Sequence, residues 1–357
     1  MNVLYVTTRY PPHTGGVEAH VAELATRLAA VGHDVTVLTA DAEGLTRSAE
    51  YRDGVRVIRH PGVAPGGAFH VAPEILATVR RLARGADLVH AHNYHSLPLL
   101  FAALGTGAET PFVATPHYHG GSASDLRDKL LSVYRVPGGW ALRRADARIA
   151  VSDWERRQLE ADFGVEATVI PNGLDVSRFA EASPDPEWAD RDYLLSVGRL
   201  AEYKGVQHVI RALPGLDYDL AVAGSGDYGS ELKRLAREVG VEDRVHFLGF
   251  VADEDLPGLY AGAAAFVTMS EFEAYGMTVA EALAAGTPCV VRNAGALVDW
   301  ADRDDCVGVD PAALVSGIER AVDLDAPAEP LPTWESVVER TTAVYDTVCR
   351  GGWNAAH

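Results

Sequence analysis

The chain alternates short apolar runs with helix-like stretches, and it completes that pattern twice. Few arrangements besides two separate α/β sheets accommodate such a repeat. The first pass reads as strand Val3–Thr7, a glycine-containing loop Tyr10–Gly16, an Ala- and Leu-rich helix Val17–Val31 and strand Asp34–Thr39. This is a βαβ unit with its loop at the carboxyl end of the strand. Apolar runs at Val55–Ile58, Asp87–His92, Phe112–Thr115 and Arg148–Val151 continue it as a doubly wound parallel sheet, complete by about residue 170. The second pass comprises Tyr193–Val197, Tyr218–Ala223, Arg244–Leu248, Ala264–Thr268 and Pro288–Arg292, each followed by a helix-like segment. A length of 357 residues exceeds what one core usually serves. The expected domains are therefore 1–171 and 172–333, two Rossmann-like units facing each other across a cleft. Val169–Asp175 and the polar stretch Glu181–Asp190 serve as hinge and linker. A last helix, about 334–350, is expected to pack back on the first domain.

Composition removes several classes of function. With 48% hydrophobic residues and no low-complexity tract, disorder is excluded. The net charge of −19 would repel a phosphate backbone, so nucleic acid is not an expected partner. Cys289, Cys306 and Cys349 are odd in number and lack ligand spacing, which argues against a disulfide framework or a zinc site. No apolar run approaches the ~18 residues a membrane span needs, and the expected location is the cytoplasm. Arginine outnumbers lysine 28 to three, a bias that fits a salt-rich cytoplasm or a high-GC genome; indifference of unfolding to molar salt would remove the halophile version.

The chemistry concentrates in Ser270–Pro288, where Glu273 and Glu281 stand eight positions apart. A glycine turn at Gly276 feeds a helix from about Thr278 to Ala285. The free N–H groups near Met277 and Thr278, together with the helix dipole, make a site for a diphosphate. Glu273 in the loop can accept hydrogen bonds from sugar hydroxyls, and Glu281, about a turn into the helix, from the ribose hydroxyls. Solvated carboxylates are the bland alternative. Arg199 and Lys204 follow the first strand of the second domain, where cations reach a diphosphate above the sheet; an interdomain salt bridge and a solvated lysine are their rivals. Gly224-Ser-Gly226-Asp-Tyr-Gly229 matches a dinucleotide-binding fingerprint. The next strand, Phe247–Val251, offers no carboxylate, so these glycines read as a tight turn near the ligand.

These segments together resemble the Glu-x7-Glu motif and companion motifs of retaining glycosyltransferase family 4, whose members adopt the GT-B fold. The resemblance spans nearly the whole chain. Gly15-Gly16-Val17-Glu18 is similar to the family's glycine loop, Val151-Ser152-Asp153 to its VS(D/E) segment and Val169–Asp175 to its IPNG(V/I)D segment. Val197-Gly-Arg-Leu200 with Lys204-Gly205 resembles its phosphate-binding stretch. Glu273-Ala-Tyr-Gly276 departs from the commoner Glu-Gly-Phe-Gly. The resemblance implies transfer of a hexose from a nucleoside-diphosphate sugar to a hydroxyl acceptor with retention at the anomeric carbon, in glycan, glycolipid or polysaccharide synthesis. No cofactor is implied beyond that donor. It also implies that Phe250 and Val251 line the base pocket, with core packing as the alternative.

In the first domain, Gly15 and Gly16 let backbone approach the donor because no Cβ intrudes. Thr115-Pro-His117 resembles the family's T-x-H segment beside the reacting sugar, and an imidazole there can hydrogen-bond sugar or acceptor. His92 and His95 are expected to line the acceptor pocket. His90, His92, His95 and His119 can be drawn as a metal cluster, but no cysteine or carboxylate completes it, so no metal is expected. Domain closure is expected to bring Gly16 and His117 to the donor. Arg127–Arg148 carries six basic residues against Asp128 and Asp146, interleaved with apolar ones, which raises contact with anionic lipid and a lipid-linked acceptor. A helix packed on the sheet is the alternative there. Two rival functions remain: a sugar-nucleotide epimerase, which would need no acceptor, and a non-catalytic nucleotide-sugar-binding subunit.

Overall fold

The computed structural model describes residues 1–13, 15–41, 47–65, 69–120 and 125–351, with the backbone alone for 125–128. Two compact units emerge: Met1–Gly173 together with the segment from Trp334 onward, and Leu174–Thr333.

The first unit runs β1 (Asn2–Thr7), α1 (Gly16–Ala30), β2 (Asp34–Asp41), β3 (Ser48–Arg52), β4 (Val55–Pro61), α2 (Glu74–Leu82), β5 (Leu88–His92), α3 (Leu97–Gly105), β6 (Phe112–Thr115), α4 (Asp125–Arg144), β7 (Ala147–Ala150), α5 (Asp153–Phe163) and β8 (Thr168–Val169). Its sheet has the order β3-β4-β2-β1-β5-β6-β7-β8. Parallel pairing prevails, with one correction to an all-parallel sheet: β3 pairs antiparallel with β4 at the edge. Strand alternation sorts the core onto the two faces. Leu4, Val6, Leu38 and Val89 meet α2, α3 and α4 on one side, while Val3, Tyr5, Val35 and Val37 meet α1 on the other.

The second unit continues with α6 (Val176–Ala180), β9 (Tyr193–Val197), α7 (Val206–Ala212), β10 (Asp219–Ala223), α8 (Gly229–Glu238), β11 (Val245–Gly249), α9 (Leu256–Ala261), β12 (Ala265–Thr268), α10 (Met277–Ala284), β13 (Cys289–Arg292), α11 (Leu297–Ala301), β14 (Cys306–Val309) and α12 (Leu314–Ala321). All pairs in its sheet, ordered β11-β10-β9-β12-β13-β14, are parallel. The winding reverses between β9 and β12, the place where such sheets open a crevice at their carboxyl ends.

The chain then rejoins the first unit as α13 (Trp334–Cys349). Trp334, Val337, Val344, Tyr345 and Val348 complete the apolar face that carries Tyr5 and Val21. Tyr5 and Tyr345 share a buried hydroxyl–hydroxyl hydrogen bond of 2.7 Å. Among the described residues no helix is long and apolar enough to cross a membrane.

Candidate active site

In the second unit the loops that leave β9 and β12 build one pocket, lined by Ser196, Gly198, Arg199, Lys204, Thr268, Glu273 and Thr278 among others. Glycine makes the β9 side possible. The turn after β10 lies so close to the β9 loop that a Cβ on Gly224 (φ 136°) would collide with the Gly198 carbonyl, and one on Gly226 with the Leu200 carbonyl. Backbone bonds lock the two loops together: Gly198 N–H to Ala223 O at 2.9 Å, Leu200 N–H to Ser225 O at 2.9 Å and Tyr228 N–H to Leu200 O at 3.1 Å. The dinucleotide-like glycines thus buttress the loop that carries Arg199. Arg199 is exposed and pairs with no carboxylate among the described residues.

Lys204 ends a short 3-10 turn, and the next residue must be Gly205 (φ 76°), because a Cβ there would strike the Met269 carbonyl. This packing, with the Glu271 N–H donating to Tyr203 O at 2.8 Å, brings two loops 69 residues apart into contact. Lys204 Nζ then donates to Glu273 Oε1 at 2.5 Å. Burial opposes the ammonium charge, yet the carboxylate beside it lifts the lysine above its ordinary pKa, against the positive charge of Arg199. The Glu273 backbone is braced by Ala296 N–H at 3.0 Å, and Trp300 Nε1 donates to Tyr275 O at 2.5 Å. Gly276 (φ 100°) precedes α10 and supplies no side-chain cap. No protein acceptor among the described residues takes the Met277 or Thr278 N–H. Two cations, one carboxylate and a bare helix start therefore adjoin one another, an arrangement suited to a phosphate-bearing ligand.

Glu281 lies outside that lining. Its Oε2 accepts the Tyr260 hydroxyl at 2.8 Å, and burial pushes its carboxyl up to about 7 although the Tyr260 bond pulls the other way. Phe250 is 78% exposed just past β11, which rules out the core-packing alternative for it, while Val251 is half-buried.

In the first unit, Gly15 and Gly16 are exposed at the start of α1, and a Cβ on Gly16 would meet nothing within 4 Å. His92 ends β5, and its Nδ1 lies 3.4 Å from His117 Nε2. His20 of α1 completes a buried trio, its ring centroid 5.2 Å from that of His117 and 5.9 Å from that of His92. Behind them His90 is fully committed, Nδ1 to the Tyr345 hydroxyl at 2.6 Å and Nε2 to Thr115 Oγ1 at 2.8 Å. Burial lowers His20 to about 4 and His90 to about 3, and takes His92 and His117 well below the ordinary histidine range. All four rings are neutral at pH 7. His95 is buried elsewhere: its Nε2 accepts the His119 N–H at 3.3 Å and its ring stacks on His119.

The histidines drawn together in sequence thus divide into two groups, and the ring nitrogens that converge within 4.8 Å belong to His20, His92 and His117. His20 was legible only as a polar residue on the buried stripe of α1 with Val21 and Leu24. Tyr260 carried no motif. The basic stretch is more committed than its composition implies: Arg135 pairs with Asp162 at 2.9 Å, and Arg143 and Arg148 donate to backbone carbonyls. Val133, Val136 and Trp140 on α4 stay exposed.

Comparison with known proteins places these features in a lineage. Residues 14–178 match the family described as Glycosyltransferase Family 4, and residues 179–329 match Glycosyl transferases group 1. A glycogen synthase of Mycobacterium tuberculosis is 32% identical, over 98% of this chain and 96% of its own length. A phosphatidyl-myo-inositol mannosyltransferase of Mycobacterium leprae is also 32% identical, over 95% and 94%. Among solved structures, the sucrose-phosphate synthase of Thermosynechococcus elongatus superposes with TM-score 0.78 at 21% identity, covering 98% of this chain and all of that one. Anabaena HepE, solved with UDP and glucose, gives 0.71 at 19% identity, covering 98% of each.

Proposed function

The chain belongs to glycosyltransferase family 4, and from that premise we propose that it moves a hexose from a nucleoside-diphosphate sugar to a hydroxyl acceptor in glycan synthesis, retaining the anomeric configuration. The observation that carries the site assignment is the convergence of Arg199, Lys204, Glu273 and Thr278 on one pocket where the sheet winding reverses. Arg199, Lys204 and the amides of Met277 and Thr278 would take the charge of the departing diphosphate. Gly224 keeps the β10 turn close enough to support that grip. Glu273, steered by Lys204, would accept from sugar hydroxyls. Glu281 is assigned the ribose, with Phe250 and Val251 at the base.

Gly15, Gly16 and His117 are assigned to the sugar, and His92 with His95 to the acceptor side. His117 enters as a neutral imidazole, able to donate or accept a hydrogen bond but not to act as a standing cation. No side chain in the pocket is placed as a covalent nucleophile, so we assign front-face attack: the leaving diphosphate oxygen takes the acceptor proton as the sugar–oxygen bond to the acceptor forms. The reaction then draws on positioning and charge stabilisation, with no cofactor required.

Thermal stabilisation by a panel of UDP-glucose, GDP-mannose and ADP-glucose tests donor binding, since a ligand that binds only the folded state raises the midpoint. Lys204→Ala and Glu273→Ala should abolish transfer while leaving the fold intact; full activity in either overturns the site. A lipid-linked acceptor with peripheral membrane contact is a second reading, favoured by exposed Val133, Val136 and Trp140. With Arg135, Arg143, Arg144 and Arg148 tied to the protein, that contact would rest on apolar insertion. Vesicles containing anionic phosphatidylglycerol should then bind the protein even at high salt, and Trp140→Ser should release it.

A further inference from the structure

His117 is one of the few non-glycine residues with left-handed backbone, at φ 48°. An L-residue holds that conformation at a cost of about 1–2 kcal/mol, so neighbouring structure must impose it. β6 ends at Thr115, and the chain turns through Pro116 and His117 to Tyr118. The Tyr118 N–H, the amide immediately after His117, donates to Glu155 Oε1 at 2.5 Å across 37 residues. The other carboxylate oxygen, Oε2, accepts the Val151 N–H at 2.7 Å.

Glu155 lies in the first turn of α5 with none of its surface exposed. Ser152 caps that helix by accepting the Glu155 N–H at 3.0 Å. In an ordinary capping box the acidic side chain turns back to its own helix start and is satisfied there. Here Oε2 accepts at the helix entrance, and Oε1 crosses to the residue after His117. Near its far end, α5 holds the same segment again, because the Tyr118 hydroxyl donates to Asp162 Oδ2 at 2.7 Å. Among the described residues no cation pairs with Glu155, and a buried acid without one is costly to keep. Burial pushes the Glu155 carboxyl up to about 8 against the pull of the two amide bonds.

We propose that Glu155 is a positioning residue for His117: by capturing the Tyr118 amide it fixes the left-handed turn that presents the His117 ring beside His92 and toward the reacting sugar. The proposal rests on the role assigned to His117 above. It differs from a plain capping role because Oε1 reaches outside the helix, to an amide 37 residues away.

The test uses the whole chain. Glu155→Gln matches the size of the side chain but offers one acceptor oxygen, and its NH2 group faces the remaining amide donor. The Tyr118 amide should exchange at least about tenfold faster and the His117 ring resonance should shift. With whichever of UDP-glucose, GDP-mannose or ADP-glucose stabilises the protein, and water standing in as the hydroxyl acceptor so that hexose and nucleoside diphosphate are the products, kcat should fall about tenfold or more while KM for the donor changes less than about twofold. Glu155→Asp, which keeps both oxygens, should recover part of the loss and supplies the measurement if the Gln variant does not fold. In a His117→Ala background, Glu155→Gln should cost less than about twofold in kcat. Unchanged Tyr118 exchange, unchanged kcat, or an undiminished effect without His117 would overturn the proposal. If no nucleotide sugar binds, the functional reading fails instead, and the exchange and ring resonance still decide what Glu155 does.

Discussion

Lowering the pH should loosen the first unit through its buried histidines, and His20 allows the effect to be measured one residue at a time. Burial holds His20 at about 4. In the unfolded chain the same ring takes a proton near its ordinary value of about 6.5. The folded pKa is depressed, so below about pH 6.5 the unfolded state binds the proton and the folded state does not. Stability is therefore intact above that pH and is lost as pH falls from about 6.5 toward about 4, at roughly 1.4 kcal/mol per pH unit. By about pH 5 the loss from this one ring is about 2 kcal/mol. Glu155 works in the opposite direction, since an acid raised to about 8 favours the folded state as pH falls. The curve for the whole protein is a sum, and only a difference isolates the histidine. His20→Gln changes packing against His92, His117 and Trp334 at every pH, but it removes the proton site. Between pH 7.5 and about 5 the variant should lose about 2 kcal/mol less than the parent. Urea unfolding at a series of pH values, followed by amide exchange in β1 and β5 peptides, measures this. Parallel curves would mean that His20 is protonated in the fold at its ordinary pKa, and the argument for a neutral cluster would fail.

Three further outcomes follow from the geometry. Gly224→Ala should destabilise the second unit by about 3 kcal/mol or more, because a Cβ must displace the Gly198 carbonyl at a φ few side chains adopt; thermal unfolding of that unit checks it. Glu273→Gln removes the carboxylate charge paired with Lys204, so UDP or GDP should bind at least as tightly by calorimetry while transfer is lost; weaker nucleotide binding would contradict a cationic role for Lys204. Tyr345→Phe leaves His90 Nδ1 and the Tyr5 hydroxyl without their shared partner and should cost about 1–3 kcal/mol in urea denaturation of the first unit; no change would refute that tie.

Where hydrophobic pattern decides structure, the sequence was a sufficient guide. β6 and β9 occupy the apolar runs read along the chain, and α13 fills Trp334–Cys349 between a proline-rich loop and Gly351. β3 could not be read, because Ser48–Arg52 is exposed throughout and pairs only at an edge, so its weak Ala49/Tyr51 alternation marks no buried face. β14, Cys306–Val309, could not be told from a loop, because Gly308 interrupts its apolar run and the charged Asp302–Asp305 stretch leads directly into it. The pocket members Arg199, Lys204, Glu273 and Thr278 were legible because they follow strands in recognisable motifs. Their couplings were not: Lys204 to Glu273, Tyr260 to Glu281 and Glu155 to Tyr118 all join distant segments through one or two hydrogen bonds. No local propensity encodes such bonds, which exist only after the sheets align the loops.

The placement of α13 also orders events during synthesis. Tyr5 emerges from the ribosome early, yet its partner Tyr345 lies 340 residues later, beyond the whole of Leu174–Thr333. At about 5–20 residues per second that intervening stretch takes on the order of 10–30 s to translate. Through that interval the nascent first unit carries an uncovered greasy flank around Val3, Tyr5 and Val21. The domain begun first is finished last, and a chain arrested before Trp334 would be a natural client for chaperones.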